Sequence, residues 1–147
     1  MDIFIYFFIA ILYIVTIVTL YHSLNLFTFK HRILLISFGL VIMYLITQFV
    51  YSFSNKGAST NIIQNARNII LVTFVPINSL ITLPFIYKNI CKIKAGSICL
   101  SLFVRNICIV LIIFIVFLIF EANYIKSSII SIEEIVDKRS QQSQYEK

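Results

Sequence analysis

Six polar side chains stand inside the long apolar stretches of this sequence and are the first candidates for chemistry. They are an amide, a threonine, a glutamine, a tyrosine, a serine and an arginine: Asn78, Thr82, Gln48, Tyr44, Ser37 and Arg105. In lipid, such groups turn toward protein or a water-filled cavity, because an unpaired polar group in hydrocarbon is costly. We therefore expect them to form a polar seam between helices or to line a pore.

Asn78 and Thr82 are four residues apart, which places them on one face of a helix. A hydrogen bond from a membrane Asn to another helix is worth about 0.6 to 2 kcal/mol. Ser37, Tyr44, Gln48 and Tyr51 form one stripe on another helix, and its first three members are the partner that we expect for Asn78. The alternative is a substrate or gating site at an interrupted helix, as in transporters.

Arg105 lies in the first third of the apolar stretch 98–120. A central Arg costs about 2.5 to 3.5 kcal/mol, and less where its long side chain reaches the headgroups. We expect such snorkelling, with anion binding as the alternative. The acidic residues all lie outside the four apolar stretches: Asp2, Glu121, Glu133, Glu134, Asp137 and Glu146. The sequence therefore predicts no carboxylate of a proton relay within a span.

The remaining chemistry-bearing residues predict neither an enzyme nor a metal or cofactor site. His22 and His31 flank a connector, which favours contact with solvent and headgroups over haem ligation. Cys91, Cys99 and Cys108 lack the spacing of a zinc site or a disulfide scaffold. No hydrolase, metalloprotease or nucleotide-binding motif occurs. We expect no cofactor.

The composition predicts that lipid, and not water, surrounds most of this chain. Of 147 residues, 60% are hydrophobic and 12% are charged, with a mean hydropathy of +0.97. Soluble domains are about 45–50% apolar and about 25% charged, and a chain this short cannot bury the excess. The net charge is +6, but its basic residues lie between the apolar stretches, as in membrane proteins. We expect the lipid bilayer as partner, and no nucleic acid.

Four apolar stretches predict an all-α membrane protein, a four-helix transmembrane bundle. They cover residues 3–20, 33–53, 69–88 and 98–120. The shortest would rise about 27 Å as a helix, enough to cross a hydrocarbon core with its flanks. Short connectors favour antiparallel, up-and-down neighbours. We expect one transmembrane domain over 1–124, followed over 125–147 by a short amphipathic helix and a disordered polar tail.

The third helix is predicted to be kinked at Pro76 and Pro84. Each proline removes a backbone donor and crowds the carbonyl four residues earlier. In a membrane helix the released carbonyl needs another donor, and Thr73, Ser79 and Thr82 are the local hydroxyls.

Two further packing surfaces are predicted from small residues. Tyr6, Ala10, Tyr13 and Ile17 share one face of the first helix, where Ala10 allows close approach. Gly39 is small enough to seat a neighbouring helix against the second.

Charge asymmetry gives an expected orientation. The first and third connectors, with the start of the fourth span, hold six basic residues: Lys30, Arg32, Lys88, Lys92, Lys94 and Arg105. The opposite side holds four: Lys56, Arg67, Lys126 and Lys138. The positive-inside rule then places those two connectors in the cytoplasm and both termini outside. Residue usage suggests an AT-rich genome, and we expect a bacterial cytoplasmic membrane.

These features favour a small polytopic membrane protein that acts without catalysis, as an accessory or self-assembling subunit. Its expected partners are further copies of itself or a larger membrane protein. The alternative is a subunit of an oligomeric small-solute transporter or channel. Small four-helix multidrug antiporters share this size but need a carboxylate in their first span, which residues 3–20 lack. An enzyme acting on lipid ranks last, because no nucleophile or base is positioned.

Overall fold

The computed structural model describes residues 2–54 and 61–145. Within them the chain forms four α-helices and no strand: α1 (Asp2–Ser23), α2 (Phe29–Ser54), α3 (Asn61–Lys94) and α4 (Leu100–Tyr145). Each is long and apolar enough to cross a membrane, which confirms the all-α expectation and agrees with a membrane protein.

The helices extend beyond the predicted stretches, and α4 differs most. It has 46 residues and is continuous, so it rises about 69 Å, about twice the thickness of a hydrocarbon core. Residues 125–145 continue α4, which differs from the expected separate amphipathic helix and disordered tail. The division between a domain at 1–124 and a tail stays a prediction.

Helix α3 is the element around which the others pack. It contacts α1, α2 and α4, whereas α1 and α4 do not touch over the described residues. The main buried cluster lies between α3 and its neighbours, with Leu83, Tyr87 and Cys91 contributed by α3. The helical assignment of α3 continues through Pro76 and Pro84, and bends at these prolines stay a prediction.

The hydroxyls near the prolines do not bind the carbonyls that the prolines release. Thr73 Oγ1 donates to the Ile69 carbonyl at 2.8 Å, and Ser79 Oγ donates to the Val75 carbonyl at 2.7 Å. The expected role of these side chains was wrong, because a hydroxyl on a helix reaches the carbonyl four residues before it.

The packing face of α1 is also not the predicted one. Ile9, Thr16 and Leu20 are buried, whereas Tyr6 and Ala10 lie on the outer surface. The buried residues are seven and four apart, which is the spacing of a single helical stripe. Tyr6, Ala10 and Ile17 of the predicted face therefore point away from the bundle, and Tyr13 is half-buried.

The buried residues of α2 include one member of the predicted polar stripe, Tyr51, but neither Ser37 nor Tyr44. These buried residues are Ile36, Gly39, Met43, Thr47 and Tyr51. Successive residues of a helix are rotated by about 100°, so a shift of one position turns Ser37 and Tyr44 outward. Ile36, Gly39 and Met43 therefore face α3, whereas Ser37 and Tyr44 do not.

Gly39 seats α3 against α2, as expected. A Cβ atom there would overlap the Tyr87 hydroxyl oxygen and would lie 3.0 Å from Leu83 Cδ1. The close approach lets the Tyr87 hydroxyl donate to the Leu35 carbonyl of α2. A buried phenol thereby finds an acceptor without a polar side chain opposite it.

The end of α3 is fixed by its sequence. Gly96 has φ +68°, the left-handed conformation that glycine adopts without steric cost. Its N–H donates to the Ile93 carbonyl, and the Ser97 N–H donates to the Lys92 carbonyl. This pair of bonds is the Schellman motif, and it turns the chain into the connector before α4.

Candidate functional site

A hydrogen bond between two buried polar side chains joins α3 to α4 near the middle of α3. Asn78 Nδ2 donates to Glu121 Oε2 at 2.8 Å. The Asn78 side chain is fully buried, and Glu121 is 7% exposed. A carboxyl group buried to this degree in an apolar bundle is costly unless it is paired, so its surroundings decide what it can do.

One oxygen on each of these two side chains has no donor. Asn78 Oδ1 and Glu121 Oε1 are both buried without a hydrogen-bond partner. A charged carboxylate only accepts hydrogen bonds, whereas a neutral carboxyl brings one O–H donor. Glu121 forms no ion pair with any residue that the structure describes. The arrangement therefore suits a group that binds a proton or a small cation at this place.

A second polar contact extends the site to α1. Thr16 is fully buried, and its hydroxyl lies 2.7 Å from the Leu12 carbonyl and 3.4 Å from the Pro76 carbonyl of α3. Pro76 precedes Asn78 by two residues. The polar contacts of α3 with α1 and with α4 are thus two residues apart along α3.

Thr82 lies one turn beyond Asn78 and is 2% exposed. It borders two apolar cavities, one of about 290 Å³ against α4 and one of about 250 Å³ between α2, α3 and α4. Their linings are almost entirely aliphatic and aromatic, including Phe85, Phe114 and Phe117. Such cavities accept acyl chains or apolar side chains more readily than ions.

The predicted stripe of α2 does not join this site. Gln48 Nε2 donates to the Tyr44 hydroxyl at 3.2 Å, within the same helix, and Tyr44 is 44% exposed. Ser37 is also on the outer surface. The expectation that Asn78 would bond to this stripe was wrong, because Glu121 supplies a stronger acceptor on α4.

Arg105 points away from the bundle. Its side chain is exposed and forms no hydrogen bond with the described residues, while the neighbouring Asn106 Nδ2 donates to Asn89 Oδ1 at 3.3 Å. Of the six predicted site residues, Asn78 and Thr82 are therefore buried together, and Ser37, Tyr44 and Arg105 lie outside. Gln48 is half-buried beside Tyr44.

Glu121 is the site residue that the sequence analysis missed. It directly follows the apolar stretch 98–120, and we expected it beyond the bilayer. The structure buries Leu118, Ala122, Ile125 and Ile129 around it on α4. This stripe continues past Glu121 at helical spacing, and following it to Ile129 would have placed the carboxyl in the packed face.

At the end of the bundle where α3 finishes, basic side chains bind backbone carbonyls of the connector between α1 and α2. Lys94 Nζ donates to the Leu26 carbonyl at 2.7 Å and lies 4.1 Å from the centre of the Phe27 ring. Arg32 donates to the carbonyls of Phe27 and Asn25, each at 2.7 Å. This connector is thereby held against the end of α3.

Comparisons with known proteins add no assignment. No family model, no curated protein and no solved structure matches the chain. Within the described residues, no group of three or more His, Cys, Asp or Glu side chains could hold a metal ion. The three cysteines are free thiols, with Cys91 buried and its Sγ 3.3 Å from the Ser23 carbonyl.

Proposed function

We propose that this chain is a multi-pass integral membrane protein that acts without catalysis, by packing against further copies of itself or a larger membrane protein. One observation carries the proposal: apolar side chains cover the outer surfaces of all four helices, while the polar pair Asn78 and Glu121 is enclosed. A water-soluble protein distributes these groups in the opposite way. Lipid or protein must therefore cover the outside of the bundle.

The proposed bundle is antiparallel and up-and-down. Contacts between α3 and α4 support it, because residue numbers fall along α3 as they rise along α4. Asn89 bonds to Asn106, and Asn78 bonds to Glu121. Farther along, Leu71 shares a buried cluster with Ile125.

We also propose that both described connectors, 24–28 and 95–99, lie on the cytoplasmic side of a bacterial plasma membrane. Lys94 on α3 bonds to Leu26, so the two connectors are at the same end of the bundle. The basic residues of this end agree with the positive-inside rule.

The experiment is purification in mild detergent through an affinity tag, followed by mass determination of the complex. We expect the chain, of 17.1 kDa, to leave the membrane only with detergent and to run as a multimer or with a second membrane protein. Release by alkaline carbonate alone would contradict the membrane assignment. A detergent-solubilised monomer without a partner would contradict the assembly role.

A second candidate is a subunit of a proton-coupled or cation-coupled transporter or channel. The observation that favours it is the buried carboxyl of Glu121, with Oε1 unpartnered, beside a helix that contains two prolines. Ionisable groups inside a membrane often mark ion pathways. Asn78, Thr82 and Glu121 would line the path.

Solute flux into liposomes tests this candidate. Glu121→Gln keeps a hydrogen-bonding side chain of similar size but removes the exchangeable carboxyl proton. Transport predicts that Glu121→Gln and Asn78→Leu both abolish flux, while Ser37→Ala on the outer surface retains it. Intact assembly without flux in any form, including the unmodified chain, would exclude transport.

A further inference from the structure

An open cavity of about 500 Å³ lies where the first connector meets the end of α3. Its wall combines basic, small polar and apolar side chains. The lining includes Leu26, Pro84, Phe85, Lys88 and Lys92. Because the ends of α1 and α3 and the connectors 24–28 and 95–99 all border it, the cavity lies at the end of the helices.

The charges in this cavity are not neutralised by protein. Lys88 and Lys92 are exposed, and they form no ion pair or hydrogen bond through their ammonium groups within the described residues. They differ in this from Lys94 and Arg32, which bind backbone carbonyls of the connector. No acidic residue occurs between Asp2 and Glu121, so nothing in this part of the sequence can balance them.

The shape of the cavity separates a lipid from a free ion. Pro84 and Phe85 precede Lys88 by four and three residues on α3, so they line the part of the cavity farther from the connectors, and Phe85 is 62% exposed. A free phosphate would use only the cationic part. A molecule with a phosphate at one end and acyl chains at the other would cover both parts.

We propose that this cavity binds the phosphate headgroup of an anionic phospholipid, with Lys88 and Lys92 as the charged contacts and Phe85 against the first part of an acyl chain. The inference rests on the proposed membrane location. The inference adds a specific lipid class and a specific binding site to that membrane location.

The test measures lipid retained by the protein after purification and exchange into nanodiscs containing equal parts of phosphatidylglycerol and phosphatidylcholine. The variant Lys88→Gln/Lys92→Gln removes both cavity charges. Its control, Lys30→Gln/Lys126→Gln, removes the same charge from exposed residues that do not line the cavity. We expect the cavity variant to lose phosphatidylglycerol enrichment about thirtyfold, which corresponds to about 2 kcal/mol for two lysines, with the control unchanged.

Three outcomes would overturn the proposal. One is equal enrichment in both variants, and another is the absence of enrichment in the unmodified protein. The third is displacement of phosphatidylglycerol by millimolar inorganic phosphate, which would assign the site to a free anion. All three concern protein that is already in a bilayer. Failure of the proposed membrane location would appear separately, as protein that does not enter nanodiscs at all.

Discussion

The pair formed by Asn78 and Glu121 shows that the role of a buried polar residue depends on its hydrogen-bond partner. An amide inside an apolar bundle can serve as a simple link between helices. Opposite a buried carboxyl group, the same amide donates to an oxygen that can also take up a proton. Because Asn78 Oδ1 and Glu121 Oε1 both lack a donor, a single bound proton would improve the hydrogen bonding of the pair.

Replacing either residue should destabilise the bundle. Asn78→Leu leaves the Glu121 carboxyl without its donor, and we expect a loss of about 1–3 kcal/mol in the free energy of unfolding. A double-mutant cycle with Glu121→Leu should give a coupling of about 0.6–2 kcal/mol. Unfolding by SDS in mixed micelles provides the measurement. Gln48→Leu is the control and should change stability by less than about 0.5 kcal/mol; additive losses would show that the pair does not interact.

Cys99, just before α4, offers a pH-dependent probe outside the spans. The Ser101 N–H and the Ser101 hydroxyl both donate to the Cys99 sulfur. Both hydrogen bonds lower the pKa of this exposed thiol, and the N–H has the larger effect. A lower pKa raises the thiolate fraction at a given pH, and the thiolate is the form that reacts. Alkylation of Cys99 should therefore reach half its maximal rate at a lower pH than in a model peptide. Ser101→Ala removes the hydroxyl and should shift the midpoint upward.

Mass spectrometry of the alkylated protein can separate the three thiols. Cys91 is buried, and Cys108 faces the proposed lipid region, so a water-soluble reagent should modify neither at a comparable rate. A pH midpoint for Cys99 alkylation equal to or above that of the peptide would contradict the lowered pKa of this thiol.

At the scale of the helices, their number, their approximate positions and the end of α3 follow from the sequence. Apolar length predicts the spans, and the glycine after Ala95 predicts the stop. The buried faces of α1 and α2 cannot be predicted from the sequence. Nearly every position of a membrane helix is apolar, so apolar periodicity no longer distinguishes the buried face from the outer one. On α2, Tyr44 and Gln48 satisfy each other, so the rule that polar groups turn inward selects the wrong stripe.

Gly39 is the position where packing of α2 against α3 is most sensitive. Gly39→Val would overlap the Tyr87 hydroxyl and separate it from the Leu35 carbonyl. We expect a loss of about 1–3 kcal/mol from this overpacking. Ser37→Val, two residues earlier on the outer surface, is the matched control and should change stability little. Equal stability of both variants in SDS titration would disprove the close approach at Gly39.

For the whole molecule, the central position of α3 explains why both described connectors lie at the same end of the bundle. The Asn78 and Glu121 pair holds α3 to α4, while Tyr87 holds α3 to α2 and Lys94 holds it to the first connector. Both described connectors therefore lie at one end, where the unneutralised lysines also lie. The periodicity of α4 places Glu121 on a packed face, but its partner Asn78 emerges only at this scale, since the pairing requires knowing which helix packs opposite the carboxyl.

The most direct test of four crossings is labelling of single cysteines in sealed membranes with an impermeant maleimide. The three positions are Asn25→Cys in the first connector, the native Cys99 in the third, and Lys138→Cys on the far part of α4, each in a background without other cysteines. We expect positions 25 and 99 to react from the same side and position 138 only from the opposite side. Reaction of positions 25 and 99 from opposite sides, or of all three from one side, would contradict a four-span bundle.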